Sequence, residues 1–168
     1  MLLDQYAFKP TGSTTAALTY LMHHVTKMLE VNEYVRCSLM IDFNKAFDMV
    51  DHVILVQKLL KLHLPGFVVN WICAFLTGRS QQCKVNVSLS RAVNIGLSIV
   101  QGSVIGPILY VLMKSDLHTL SELNSIFKYA DDTTLLVPQH TDINISDEFD
   151  HIKTWALANK LILNLGKT

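Results

Sequence analysis

Aspartates at two distant points of the sequence have the setting of a metal-dependent site. Asp131 and Asp132 are adjacent between two apolar segments, and Asp42 ends the apolar run Leu39-Met40-Ile41. Neighbouring carboxylates repel each other, and a divalent cation relieves that repulsion. A buried carboxylate is costly unless it is paired or binds a metal. Asp42 and Asp131 are thus the minimum set for two magnesium ions, which would activate an attacking oxygen and stabilise a leaving one in phosphoryl transfer.

Two further features accompany these aspartates. Gln101-Gly102-Ser103, followed by Gly106-Pro107, is a segment in which glycine would let the backbone approach a ligand closely. The same pattern also occurs as a plain turn before a helix. Asp48 and Asp51 follow Asp42 on a predicted helix, and we interpret them as part of its solvated face.

The hydrophobic pattern predicts the elements that would position these residues. Helices are predicted after a polar cap at Thr11–Thr14, over Lys45–Leu62, over Phe67–Leu76, from Gly106 to about Leu117, and after a cap at Ser146. Strands are predicted over Tyr34–Phe43, Gln82–Val87, Ala92–Ile95, Ile126–Tyr129, Thr133–Val137 and Leu161–Leu165. Helices and strands are mixed and include a tight hairpin at Asp131-Asp132, so the predicted class is α+β.

Composition excludes several classes of protein. Half of the residues are hydrophobic and 17% are charged, which excludes a disordered chain. The charges of the 14 basic and 14 acidic residues sum to zero, whereas a protein that binds nucleic acid or membranes by charge alone carries a basic excess. A mean hydropathy of +0.31 indicates surface that another segment covers.

The cysteine pattern and the absence of targeting segments predict a location. Three cysteines without CxxC spacing argue against a disulfide framework or a zinc ribbon and favour a reducing compartment. No signal peptide opens the chain. The uncharged stretch 92–113 contains too many glycine, proline and polar residues for a membrane-spanning helix. We therefore expect an intracellular protein that is not secreted and has no membrane partner, with the nucleus and the cytoplasm both open.

Three motifs together resemble the palm of reverse transcriptases, particularly those of non-LTR (LINE-like) retrotransposons. They are Asp42-Phe43-Asn44-Lys45-Ala46-Phe47-Asp48, then Gly96 through Gln101-Gly102-Ser103 to Pro107, and Tyr129-Ala130-Asp131-Asp132-Thr133-Thr134-Leu135. The resemblance extends upstream through Asp4–Pro10 and downstream to Lys167-Thr168. It implies a polymerase palm, an antiparallel sheet backed by helices, with a partial fingers segment. It also implies an RNA-directed DNA polymerase that transfers nucleotides from dNTPs to a primer 3′-hydroxyl with two Mg²⁺ ions, or with Mn²⁺.

The resemblance assigns roles to residues of this chain. Asp42 and Asp131 would bind the metals, with Asp132 as a weaker ligand. Phe47 would be the aromatic gate that rejects a 2′-hydroxyl, and Lys167 would be a general acid near the leaving pyrophosphate. The remaining nucleotide-binding residues would be Phe43, Asn44, Lys45 and Ala46 through their N–H groups, Gln101 and Gly102 in the nucleotide and template pocket, and Lys9. A solvated lysine at the end of the chain is the alternative interpretation of Lys167.

The sequence also departs from the family pattern. Val100 stands where the family usually has proline, Lys9 where arginine is common, and Gly12 where a basic residue is common. Each change is expected to weaken triphosphate or template binding without removing the metal site.

The resemblance also predicts an organisation and a set of partners. Residues 1–33 would be partial fingers and residues 34–168 the palm, with a fingers-type insertion possible within 65–95 and no thumb. An RNA template, a DNA primer, dNTPs and the missing fingers and thumb segments would be the partners.

Two other hypotheses remain open at this point. One is an inactive fragment of a decayed retrotransposon with no catalytic role. The other is a nucleotidyl cyclase-like enzyme that acts on free nucleotides. The pairing of Gln-Gly-Ser with Tyr-Ala-Asp-Asp argues against the cyclase.

Overall fold

The computed structural model describes residues 4–168, which form helices and strands in a mixed order. The helices are α1 Thr14–Glu30, α2 His52–Leu60, α3 Gly66–Leu76, α4 Gly106–Met113 and α5 Ile145–Ala158. The strands are β1 Val35–Ile41, β2 Ser80–Gln81, β3 Lys84–Val85, β4 Ser88–Leu89, β5 Val93–Asn94, β6 Ser125–Tyr129 and β7 Asp132–Pro138. The predicted α+β class is confirmed.

The central sheet has three antiparallel strands in the order β1-β7-β6. Its middle strand, β7, begins with the polar residues Asp132–Thr134 and is apolar and buried from Leu135 to Pro138. A run of successive apolar residues is expected where both faces of a middle strand are covered, because neither set of alternating side chains meets water there. The Asp131-Asp132 hairpin predicted from the sequence is the β6–β7 connection.

The two faces of the sheet are covered by different elements. One face packs on α2, α3, α4 and α5 in the main hydrophobic core, which contains Leu135 and Val137. The other face packs on α1 through a smaller cluster of Tyr6, Phe127 and Leu136. No residue of α1 is itself buried, so this helix lies against the sheet by one half-buried stripe.

The predicted helix over Lys45–Leu62 is wrong in its first part. Residues 44–49 form consecutive turns, and α2 begins only at His52. Asp51 caps α2, because its Oδ1 accepts hydrogen bonds from the N–H groups of Val53 and Ile54. Asp51 is 6% exposed, which also corrects its assignment to a solvated helix face.

Three smaller predictions differ from the structure. Leu161–Leu165 forms a single bridge between Leu163 and Phe43 instead of a strand. Asn144, not Ser146, is the N-cap residue of α5. The two strands expected over Gln82–Val87 and Ala92–Ile95 are four strands of two residues each, because the chain there turns back on itself twice.

The uncharged stretch 92–113 is divided between β5, a loop and α4. Within residues 4–168, no helix has the length and apolar content needed to cross a membrane. The division of the chain into fingers and palm segments stays a prediction.

Candidate active site

The antiparallel pairing of β1 with β7 determines where the three predicted metal-binding aspartates lie. Ile41 is paired with Thr133, so Asp42, which follows Ile41, lies at the end of the sheet where β7 begins. Asp132 is the first residue of β7, and Asp131 lies in the turn before it. Asp131 and Asp132 are exposed and Asp42 is half-buried. The tertiary structure therefore brings the three aspartates to the same end of the sheet.

Tyr110 of α4 lies close enough to these aspartates to respond to their charge. Burial raises the pKa of the Tyr110 phenol, and the charges of Asp131, Asp42 and Asp132 raise it further. The phenol oxygen is buried and has no hydrogen-bond partner within residues 4–168. The acidic end of the sheet thus has a buried aromatic side chain of α4 next to it.

The last residues of the chain hold the Asp42 side chain. Asn164 donates from Nδ2 to Oδ2 of Asp42 at 2.8 Å, and Lys167 Nζ lies 4.0 Å from the same oxygen. The backbone adds a hydrogen bond of 2.9 Å from the Asn164 N–H to the Asp42 carbonyl. Lys167 is therefore next to Asp42, although the two residues are 125 positions apart in sequence. Asn164 acts on Asp42 directly, a role that sequence spacing did not indicate.

The turns at residues 44–49 carry the predicted aromatic gate. The Phe47 ring stacks on the Tyr110 ring, with centroids 4.4 Å apart and planes inclined by 21°. Lys45 has a φ of +45°, which belongs to the tight turn after Asp42. The Asn44 N–H donates to the Ile162 carbonyl at 2.7 Å, so it is engaged within the protein.

The Gln101-Gly102 loop packs directly against these turns. The Ile99 N–H donates to the Phe47 carbonyl at 2.9 Å, and the Gln101 side-chain amide donates to Asp48 Oδ1 at 3.1 Å. Gly102 has a φ of +82°, which residues with a Cβ rarely adopt. The structure therefore joins the first and second motifs, which are separated in sequence.

Lys9 and Gly12 lie in the segment before α1. Lys9 Nζ lies over the Tyr6 ring, 4.9 Å from its centroid. A Cβ at Gly12 would be 1.9 Å from the Tyr6 carbonyl oxygen, so a larger residue there would displace the backbone. The absence of a basic residue at position 12 therefore has a steric reason in this chain.

Sequence reasoning missed two buried lysines beside the hairpin. Lys114 and Lys128 have at most 1% of their surface exposed. The pKa of Lys114 is lowered to about 7, first by burial and then by the Lys128 charge, while Asp131, Asp132 and Asp4 oppose that shift. Burial likewise lowers the pKa of Lys128, against the raising effect of Asp4. Their only signal in the sequence is a charged residue inside or beside an apolar run.

The acidic end of the sheet offers carboxylate oxygens but not a complete metal-binding shell. Within residues 4–168, no three His, Cys, Asp or Glu side chains are arranged to hold a metal ion by themselves. Magnesium in nucleotide-dependent enzymes usually binds one or two carboxylates and completes its shell with substrate phosphates and water. The Asp42 and Asp131 carboxylates are of that oxygen-donor type, so the residues fit a site that a bound nucleotide would complete.

Comparison with known sequences gives consistent matches. The family described as Reverse transcriptase (RNA-dependent DNA polymerase) matches residues 2–168. The chain is 26% identical over 174 aligned positions to the RNA-directed DNA polymerase from mobile element jockey of Drosophila funebris, covering 97% of this chain and 19% of that protein. It is 30% identical over 113 positions to a probable RNA-directed DNA polymerase from transposon X-element of Drosophila melanogaster, covering 67% of this chain and 12% of that protein.

Comparison with solved structures supports the same fold. The structure of telomerase from Candida albicans, in complex with a fragment of telomeric RNA, aligns with 98% of this chain and 31% of that chain. The TM-score is 0.64 and the sequence identity is 11%, a level at which the likeness concerns the fold. The predicted polymerase palm fold is thereby confirmed. The chain spans only 12% to 19% of the length of the curated relatives it matches.

Proposed function

Because this chain belongs to the reverse transcriptase (RNA-dependent DNA polymerase) family, we propose that it carries the catalytic palm of a retrotransposon RNA-directed DNA polymerase. In the proposed reaction, the primer 3′-oxygen bonds to the α-phosphorus of a dNTP. The bond from that phosphorus to the bridging oxygen breaks, and pyrophosphate leaves. The 3′-hydroxyl loses its proton, and the pyrophosphate takes one up.

Asp42 and Asp131 would hold two Mg²⁺ ions, with Mn²⁺ as an alternative, and Asp132 would support them. Bound in this way, the ions would supply Lewis-acid stabilisation of the attacking and leaving oxygens. Asn164 would keep the Asp42 carboxylate oriented through its 2.8 Å hydrogen bond. Lys167, 4.0 Å from Asp42 Oδ2, would donate a proton to the leaving pyrophosphate.

The first two motifs would bind the nucleotide. The N–H groups of Phe43–Ala46 that are not bonded within the protein would face the triphosphate. Phe47 would exclude a 2′-hydroxyl, since its stacking on Tyr110 limits how far the ring can move away. Gln101 and Gly102 would line the nucleotide and template pocket, and Lys9 would contribute a positive charge.

The observation that supports this proposal most is the pairing of β1 with β7. Ile41 opposite Thr133 carries Asp42 to the end of the sheet that also bears Asp131 and Asp132. Aspartates so far apart in sequence have no local structural reason to meet. Their mutual repulsion opposes folding unless a cation offsets it.

The proposed partners are an RNA template, a DNA primer, dNTPs and the rest of a longer polymerase. The net charge of zero gives this chain little electrostatic attraction for a nucleic-acid duplex. We therefore expect efficient templated synthesis to require further segments such as the fingers and the thumb.

The first test is a chimera in which this chain replaces the matched segment of the Drosophila funebris jockey polymerase. We expect RNA-templated DNA synthesis, and we expect Asp131→Asn or Asp42→Asn to abolish it. The second measurement is Mn²⁺ binding to the chain itself by calorimetry, which Asp131→Asn should remove. Exposed Asp147 on α5 provides a control, since Asp147→Asn should change neither result.

A folded chimera without activity, together with a chain that binds no Mn²⁺ through Asp131, would contradict the proposal. That combination would instead support an inactive fragment of a decayed retrotransposon. Activity that persists in the Asp131→Asn chimera would contradict the assigned metal site.

A further inference from the structure

Lys114 is a buried cation directly behind the turn that carries Asp131. It follows the last residue of α4 and has no exposed surface. Its Nζ lies 3.0 Å from the Ala130 carbonyl, 2.9 Å from the Asp131 carbonyl and 2.6 Å from the Thr133 hydroxyl. An ammonium group has three N–H donors, so these three acceptors satisfy it completely.

All three acceptors belong to the β6–β7 turn or the start of β7. Ala130 has a φ of +52°, a conformation that costs energy for a residue with a Cβ. The surroundings must therefore hold the turn in place. The Lys114 bonds to two successive carbonyls provide that restraint, and a buried carbonyl without a donor would be costly.

Two other lysines restrain the backbone at the end of α4, where Lys114 lies. Lys58 Nζ donates to the Met113 carbonyl at 2.7 Å. Lys128 Nζ donates to the Lys114 carbonyl at 3.1 Å and to the Leu117 carbonyl at 2.7 Å. Cations at a helix C-terminus satisfy carbonyls that have no partner within the helix. The last turn of α4 is thus fixed from two sides before Lys114 reaches the hairpin.

Lys128 provides an internal comparison for Lys114. It is buried to the same degree, and it also bonds to Asp4 Oδ2 at 2.8 Å. Its Nζ contacts lie at the end of α4 and in the N-terminal segment, whereas those of Lys114 lie at the turn. The two lysines are therefore equally buried, but only the Lys114 ammonium bonds directly to the β6–β7 turn.

We propose that Lys114 is a positioning residue, which directs the Asp131 carboxylate toward its divalent cation by holding the Ala130 and Asp131 carbonyls. This inference rests on the proposed function, because it takes Asp131 as a metal ligand. Groups that orient metal ligands typically change metal affinity by about 10–100-fold when they are removed.

The test compares Lys114→Met with Lys128→Met, both of which remove a buried ammonium. Mn²⁺ alone is the probe, and its affinity for the 168-residue chain is measured by calorimetry. We expect Lys114→Met to weaken binding about 10–100-fold. Lys128→Met should weaken it by a clearly smaller factor, because Lys128 reaches the turn only through the Lys114 backbone. Amide hydrogen exchange at residues 130–133 should become faster in Lys114→Met, and by a larger factor than in Lys128→Met.

A milder variant covers the case in which Lys114→Met does not fold. Thr133→Val keeps the side-chain shape and removes one of the three acceptors of Lys114. Like Lys114→Met, it should weaken Mn²⁺ binding and accelerate amide exchange at residues 130–133, but by smaller factors than Lys114→Met does.

Several outcomes would overturn the proposal. Equal Mn²⁺ affinity in Lys114→Met and the unmodified chain would show that the lysine does not act on the site. Tighter binding in Lys114→Met would show that its charge opposes the cation and that positioning is unimportant. If the unmodified chain binds no Mn²⁺ through Asp131, the activity of the chimera still decides the proposed function separately. Amide hydrogen exchange at residues 130–133 then tests the role of Lys114. Equal exchange rates in Lys114→Met and Lys128→Met would contradict that role.

Discussion

The central sheet and the segment at residues 80–94 show opposite ways of holding a chain in place. In the sheet, β7 is paired on both sides and nearly every side chain from Thr133 to Pro138 is buried. In the other segment, four strands of two residues pair with each other, and every residue from 80 to 94 is exposed. The three site aspartates, Asp42, Asp131 and Asp132, lie at the end of the central sheet. Their positions are therefore determined by the core, whereas the second region is held by local backbone pairing.

The largest expected difference between the two regions is in how much stability is lost when a side chain is truncated to alanine. Leu135→Ala should lower the free energy of unfolding by about 2–5 kcal/mol, because it leaves a cavity in the main core. Val87→Ala, at a side chain 95% exposed, should change that free energy by less than about 0.5 kcal/mol. Urea denaturation of both variants measures the contrast. Equal losses at the two positions would show that the exposed segment is also part of the cooperative core.

A smaller effect is expected where the exposed segment rejoins the core, at Asp51. This residue caps α2, forms a bridge with Leu97 and pairs with Lys160 at 2.7 Å. Asp51→Ala should cost about 1–2 kcal/mol of stability, because the cap is lost. Asp51→Asn should cost less, since asparagine also caps helices.

The same residue gives a dependence on pH. Burial would raise the pKa of Asp51, but the hydrogen bond from Lys160 and the N–H groups of Ile54 and Val53 lower it overall. A carboxyl with a lowered pKa in the folded state stabilises the protein above its unfolded pKa, about 4, and this contribution is lost as the pH falls through the folded value. The stability advantage over Asp51→Asn should therefore be largest near neutral pH and shrink below about pH 4. A constant difference from pH 7 to pH 2 would contradict the assigned ion pair.

The smallest expected effect concerns two glycines, one at the first residue of α3 and one shortly after its end. A Cβ at Gly66 would meet no atom within 4 Å, and this residue begins α3. Gly66→Ala should therefore stabilise the protein, by at most about 1 kcal/mol, through reduced entropy of the unfolded chain. Gly78→Ala should have the opposite sign, because Gly78 has a φ of +67°. Thermal unfolding of the two variants measures both signs, and stabilisation by both would show that the turn at Gly78 adapts freely.

Much of the fold was predictable from local sequence patterns. The apolar runs around Asp131-Asp132 predicted the β6–β7 hairpin. The polar segment Thr11–Thr14 before an apolar-periodic stretch predicted the start of α1, which Ser13 caps in the structure. The identification as a reverse transcriptase of the non-LTR retrotransposon type is confirmed by the family match and by the mobile-element relatives. The roles of individual site residues remain predictions, because they depend on a bound nucleotide and metal.

Errors arose where contacts distant in sequence decide the local structure. The apolar residues at 46–50 follow a helical spacing, yet the chain turns there because Phe47 stacks on Tyr110 and Asn44 bonds to Ile162. Asp51 has the polarity of a surface residue but is buried as a cap.

The sequence by itself determined the family, the mixed class of elements and the identity of the acidic residues, because these follow from residue types and their spacing along the chain. Only the tertiary structure decided that Asn164 and Lys167 reach Asp42 and that Lys114 lies behind Asp131. A lysine is usually exposed, so its type predicts the surface. Lys114 is buried because two carbonyls and a hydroxyl of the hairpin converge on its ammonium, and that convergence depends on how α4 packs against the sheet.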